Sequence, residues 1–293
     1  MNGTALALVL VAAVVHAAWN LSAKRVLGGG ARFVFLYYTV SAIVFVPIVA
    51  VALVLEDQRP QWTWLLAAVV TAVFHVAYGV VLQRGYAVGD MSVVYPLARG
   101  TGPLLSVLAA VLLLGERPGP IGLLGAFLVV AGVLVISTGK PEAHLVSPAH
   151  TKARRAGVGY GLLTGVTIAA YTLWDAHSVT GLSVPPVIYF GSGCLVQSLL
   201  LVPYAMRDRA GTARLWRAHR RDVLTVALLS PLAYLLVLFA MRMAPVSLVA
   251  PARELSIVFG GVAAWLTFGE PNVIRRFVGS LVVLAGITAI AVA

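Results

Sequence analysis

The sequence predicts an all-α membrane protein of ten transmembrane helices arranged as two inverted five-helix repeats. Three observations carry this. The 293 residues are 60% hydrophobic and only 11% charged, whereas a soluble domain carries about 25% charge. The chain divides into ten apolar runs of membrane-spanning length. Finally, an ordered set of Trp, Pro, Arg and Gly-Glu residues recurs about 155 positions later.

A transmembrane helix needs about 20 apolar residues. Charged and Gly/Pro-rich breaks delimit spans at 3–22, 33–55, 62–82, 91–114, 120–138, 157–177, 185–206, 223–241, 246–268 and 277–293. Residues 5–15 resemble the apolar core of a signal peptide. No basic residue precedes them, and the repeat requires this segment, so it is read as the first span. Trp62, Trp64 and Trp216 lie at or beside span ends, as interfacial aromatics do. The connections 139–156 and 207–222 are polar and are expected at the membrane surface.

A formal charge of +11 would suggest nucleic acid in a soluble protein. Here the basic residues fall in short loops, so the bilayer and a small molecule are the expected partners. Sixteen of the 21 Lys and Arg lie in the first, third, fifth, seventh and ninth loops. The positive-inside rule makes those loops cytoplasmic and puts both termini outside. Cys194 is the only cysteine, which excludes an internal disulfide and a multi-cysteine metal site. It reads as a small packing residue, and neither a metal nor a cofactor is expected.

The repeat aligns His16-Ala17-Ala18-Trp19-Asn20 with Tyr171-Thr172-Leu173-Trp174-Asp175 at an offset of 155, and Ser92 and Pro96 with Ser247 and Pro251. After a one-residue gap, Ala98-Arg99 meets Ala252-Arg253, Gly115-Glu116 meets Gly269-Glu270, and Gly125 and Gly132 meet Gly279 and Gly286. Five spans per copy is an odd number, so the second copy enters the membrane inverted, about a pseudo-twofold axis in the membrane plane. This divides the chain into repeats at 1–139 and 157–293 joined by a loop at 140–156.

Several residues are too polar for their surroundings. Arg99 and Arg253 lie within apolar spans, where a charge costs roughly 2.5–3.5 kcal/mol on insertion scales. Glu254 is the acid deepest in a span. Tyr95 and Arg99 share a helix face, and Pro96 and Pro103 are expected to bend that helix. Adjacent helical residues point about 100° apart, so Arg253 and Glu254 are not expected simply to neutralise each other. Glu254 reads either as a structural ion-pair partner or as a proton-coupling candidate. His16, Trp19 and Asn20, with Tyr171, Trp174 and Asp175, occupy equivalent faces of the first and sixth spans. They read either as lining of a central cavity or, for Asn20 and Asp175, as interfacial polar residues. Tyr78 with His75, and Tyr234 with Ser230 and Pro231, add polar and aromatic surface. Gly157, Gly161 and Gly165 form a small-residue face suited to close helix packing, with a hinge as the alternative. Glu116 and Glu270 end their spans beside glycine and read as caps or as interfacial residues.

The His-Ala-Ala-Trp-Asn end of the first span, Tyr95-Pro-Leu-Ala-Arg-Gly100, the Leu-Gly-Glu and Phe-Gly-Glu span ends and Arg253-Glu-Leu-Ser256 together resemble the drug/metabolite transporter superfamily. The resemblance covers essentially the whole chain and is to its ten-helix members with two EamA-type repeats. It implies a carrier of the bacterial inner membrane, often an exporter of amino acids or other small metabolites. It also implies cytoplasmic termini, opposite to the loop-charge expectation.

Read from the residues alone, three functions remain: a secondary transporter, a non-transporting scaffold or sensor, and an intramembrane enzyme. The chain has no Gly-x-x-x-x-Gly-Lys-Ser/Thr loop to bind a nucleotide for direct ATP drive. It also has no His-Glu-x-x-His or Gly-x-Ser-x-Gly to supply hydrolytic chemistry.

Overall fold

The computed structural model describes residues 1–23, 25–26, 29–55, 59–89, 91–137, 148–268 and 273–293. Glu270 and its neighbours Gly269 and Pro271 lie outside the described residues. The helices are α1 (Gly3–Ala23), α2 (Gly30–Leu55), α3 (Trp62–Val88), α4 (Met91–Leu113), α5 (Gly119–Ser137), α6 (Pro148–Thr180), α7 (Pro186–Arg207), α8 (Arg209–Met241), α9 (Val246–Ala252), α10 (Leu255–Phe268) and α11 (Val273–Val292). Among the described residues there is no strand. Eight helices, α1 to α8, are long and apolar enough to cross a membrane. The α9–α10 pair and α11 supply the remaining two spans.

The apolar surface faces outward. On α2, Ile43, Val46, Ile48, Val51, Val54 and Leu55 are all exposed, a pattern that water would penalise and hydrocarbon does not. The interior is built from smaller groups. Ala5, Val9, Ala12, Ala13 and Ala17 form the buried face of α1, which packs on α8.

Helix pairing follows the repeat. Exchanging α1 with α6, α2 with α7, α3 with α8 and α5 with α11 turns the α1–α8 contact into α6–α3. The same exchange turns α2–α8 into α7–α3, and all four contacts are present. The α2–α7 and α5–α11 contacts map onto themselves. At the α5–α11 crossing the symmetry reaches individual atoms. A Cβ added to Gly125 would lie 2.7 Å from the Gly286 carbonyl oxygen, and one on Gly286 would lie 2.7 Å from that of Gly125. Gly132 and Gly279 stand in the same relation, at 2.7 and 2.9 Å. Close backbone approach of this kind is how helices associate without a hydrophobic driving force.

The small residues of the sixth span are used similarly. A Cβ on Gly161 would meet Leu97 Cβ at 2.8 Å, and one on Gly165 would meet Thr101 Cβ at 2.9 Å, so both glycines admit α4. Gly157 lies against Gly89 at the end of α3.

The described helices depart from the expected spans in four places. First, the ninth span is not one helix but two, α9 and α10, separated at Arg253–Glu254. Pro251 has no N–H to donate. The hydrogen bonds that follow tighten to three-residue spacing: Glu254 N to Pro251 O at 2.9 Å, Ser256 N to Arg253 O at 3.2 Å and Ile257 N to Glu254 O at 2.9 Å. Second, α4 runs as a single helix through Pro96 and Pro103, where a bend was expected, whereas its repeat counterpart is broken.

Third, the 207–222 connection is largely helical. Asp208 caps it by accepting Gly211 N at 2.8 Å and pairs with Arg32 Nη2 at 2.7 Å. The helix kinks at His219 (φ −127°, ψ 24°) before entering the span. Fourth, α3 and α6 extend several residues beyond their apolar runs. Cys194 is buried and free. Of the three tryptophans expected at interfaces, Trp62 is exposed and Trp64 is buried. Trp216 packs on a satellite cluster around Phe33 and Val223.

The α5–α11 crossing makes a direct prediction. Gly125→Val should lower stability by about 1–3 kcal/mol through overpacking, read as a lower midpoint in thermal unfolding of the detergent-solubilised protein. Gly159→Ala is the control. A Cβ there meets nothing within 4 Å, so the midpoint should hold or rise.

Candidate substrate and coupling site

Two buried carboxylates organise the polar interior. Glu254, 1% exposed, sits at the break between α9 and α10, with an arginine on each side. Arg99 Nε of α4 is 3.5 Å from Glu254 Oε2, and Arg253 Nε is 3.8 Å from Oε1. The expectation that Arg253 and Glu254 would not neutralise each other is therefore corrected. Arg253 keeps helical dihedrals (φ −58°, ψ −27°), so the neighbours still diverge at the backbone, and it is the reach of the two long side chains that brings the carboxylate to both guanidinium groups. The contacts are ionic rather than well-formed hydrogen bonds. Arg99 Nε and Glu254 Oε2 have no hydrogen-bond partner among the described residues. Arg99 also lies over the Tyr95 ring, 5.9 Å from its centroid, a cation–π distance.

Asp175, 0% exposed, is the second carboxylate. It is interior, so the interfacial reading of this residue does not hold. Its Oδ1 accepts the Thr71 hydroxyl at 2.6 Å and the Tyr189 hydroxyl at 2.5 Å. Its Oδ2 accepts the Tyr234 hydroxyl, and His75 Nε2 lies 3.8 Å from it. One side chain thereby ties α6 to α3, α7 and α8. Three hydroxyl donors meet the requirement that a buried charge be hydrogen-bonded.

Aromatic rings join the two carboxylate centres. Tyr171 stacks on His75 with centroids 4.3 Å apart, Tyr78 meets Tyr171 edge-on at 5.7 Å, and Tyr234 meets His75 edge-on at 5.6 Å. Tyr171 lies within electrostatic reach of Arg99, Arg253, Glu254 and Asp175. His16 is within reach of both arginines, and its ring contacts Trp19 at 4.7 Å.

Not every expected residue joins the cluster. Asn20 donates to its own helix, Nδ2 to His16 O at 2.9 Å. Trp174 donates Nε1 to Ala67 O at 3.1 Å, which is a packing role between α6 and α3. Thr71 and Tyr189 were not legible as site residues. A threonine and a tyrosine in apolar helices carry no signal until a carboxylate from another helix meets them. Two clefts open elsewhere, one lined by Pro185, Ile188 and Arg242 and the other by Arg32, Arg214 and His219. Neither touches the cluster, whose side chains pack directly against one another.

Glu116, at the end of the fourth span, caps a helix of the other half of the chain. Its two carboxylate oxygens accept Val246 N and Ser247 N, both at 2.8 Å, at the start of α9. These N–H groups have no intrahelical partner. Glu116→Ala should therefore cost about 1–2 kcal/mol, measured as a lower thermal midpoint, and Glu116→Gln should cost less because one oxygen still accepts.

Residues 3–138 and 155–292 match the model of the EamA-like transporter family. Curated protein sequences give no match. A solved structure described as "Crystal structure of protein" superposes with a TM-score of 0.78 at 14% identity, over 100% of this chain and 98% of that one. That is a likeness of fold. The two matched segments span nearly the whole sequence, with one five-span unit in each, and the chain belongs to the EamA-like transporter family of the drug/metabolite transporter superfamily.

Proposed function

We propose that the protein is a secondary transporter that exports a small zwitterionic or anionic metabolite, such as an amino acid, from a bacterial cell across its inner membrane. The substrate binds between the two halves and is exposed alternately to either side, without ATP. The observation that carries this reading is the Arg99–Glu254–Arg253 group. Two cations and an acid buried together at a helix break cost folding energy. Even their closer contact, at 3.5 Å, leaves Arg99 Nε and Glu254 Oε2 with unused hydrogen-bonding capacity. A carboxylate offered to Arg99 would find a planar fork of donors, and a substrate ammonium would find the Glu254 oxygen. The Tyr78, Tyr171 and Tyr234 rings supply apolar walls with polar edges.

The discontinuous ninth span supports the same reading. Broken helices in inverted-repeat transporters place unpaired backbone and charge where the substrate binds. His16 and Tyr95 belong to this site by their proximity to Arg99.

Uptake of a radiolabelled amino-acid mixture into proteoliposomes tests the proposal. Arg99→Ala and Glu254→Gln should each reduce flux about tenfold or more, the equivalent of losing one hydrogen bond to a charged group. Both variants should still insert and purify as single species. Wild-type flux in both would place the substrate elsewhere.

A further inference from the structure

The second carboxylate centre has a feature that substrate binding does not use. His75 Nδ1 lies 2.9 Å from the Thr71 carbonyl oxygen and 3.1 Å from Thr71 Oγ1. A carbonyl oxygen only accepts, so Nδ1 carries the hydrogen. In a neutral imidazole this leaves the lone pair on Nε2. That lone pair faces Asp175 Oδ2 at 3.8 Å. Two electron-pair donors thus stand opposite each other, just beyond hydrogen-bond distance.

Asp175 is already committed. Thr71 and Tyr189 both donate to Oδ1 and Tyr234 to Oδ2, which leaves only Oδ2 an open lone pair, and an imidazole nitrogen is intrinsically more basic than a carboxylate oxygen. A proton on Nε2 disturbs none of those bonds, and it turns the facing pair into an imidazolium–carboxylate pair. The groups around His75 agree with this. Tyr171 stacks on the ring from α6 and Tyr234 meets it from α8, while Tyr189 of α7 acts through Asp175. From α2, Tyr37 lies within electrostatic reach of Tyr78. The charged groups beyond are Arg99 of α4 with Arg253 and Glu254 at the helix break, all within reach of Tyr171. With His75 neutral, the two guanidinium groups and two carboxylates of the interior cancel.

We propose that His75 Nε2, backed by Asp175, is a proton-binding site that couples transport to the proton gradient, a role the sequence suggested for Glu254. The step balances simply. A proton from water on one side adds to the Nε2 lone pair and the ring gains one positive charge. On the other side the same N–H bond releases the proton to water. Sodium is disfavoured because hard cations take oxygen ligands and here one facing atom is an imidazole nitrogen. The proposal rests on the transporter reading above, but its test needs no substrate.

The full-length protein in proteoliposomes on a solid-supported membrane, free of sodium and metabolite, is given a rapid pH jump. Wild type and the remote variant His219→Gln should give a transient charge displacement. His75→Gln should abolish it, as should Asp175→Asn, with each variant checked for monodispersity. A wild-type displacement in His75→Gln would overturn the proposal. So would loss in Glu254→Gln with retention in His75→Gln, or a displacement evoked only by a sodium jump at constant pH. Amino-acid counterflow without a gradient separates the two readings. A His75-dependent displacement with no counterflow in wild type supports the proton site and defeats the transport reading. Counterflow with no wild-type displacement does the reverse.

Discussion

The interior depends on how a charge is kept inside a bilayer. Glu254 would be prohibitively expensive alone, and it is tolerated because Arg99 and Arg253 flank it at 3.5 and 3.8 Å. It lies where the ninth span is interrupted. Pro251 withdraws one backbone donor and the following turns tighten, while the reach of the side chains lets Glu254 address cations on both sides. It also joins the halves, since Arg99 comes from the fourth span and the other two residues from the ninth. Glu116 reinforces the join by reaching from the end of the fourth span to the first N–H groups of α9.

Two-fold pairing of the helices coexists with unequal chemistry. Gly125 and Gly132 cross Gly286 and Gly279 almost identically, so the frame is symmetric. The buried acids are not. Glu254 aligns with Gly100, and Asp175 aligns with Asn20, which only bonds back to its own helix. Both carboxylates therefore belong to the second five-span unit, while the first supplies Arg99, His75 and Thr71 to meet them. Each ionic contact between the units crosses an interface that an alternating-access motion must rearrange. On the proposed mechanism, substrate and proton would act on these same contacts.

Much of this was legible in the sequence because membrane spans and buried charges carry strong one-dimensional signals. The ten runs, the repeat and the Arg99, Arg253 and Glu254 positions all follow from residues out of place in hydrocarbon. What was not legible depends on contacts between helices. The break at Pro251 and the continuity of α4 past Pro96 and Pro103 look alike in sequence, since each span carries a proline beside an arginine. Thr71 and Tyr189 become informative only once Asp175 lies between them. The helical start of α8 was hidden by its arginines, which read as a loop although Leu215 and Trp216 pack on the Phe33 cluster.

On the proposed mechanism, the Arg99–Glu254–Arg253 group faces each side of the membrane in turn. Ser256 lies two residues beyond Glu254, is 4% exposed and has no hydrogen-bond partner for its hydroxyl among the described residues. In a Cys194→Ser background, a Ser256→Cys variant can be probed with a membrane-impermeant thiol reagent in right-side-out and in inside-out vesicles. Labelling is expected from both sides. Labelling in only one of the two vesicle preparations would contradict the mechanism.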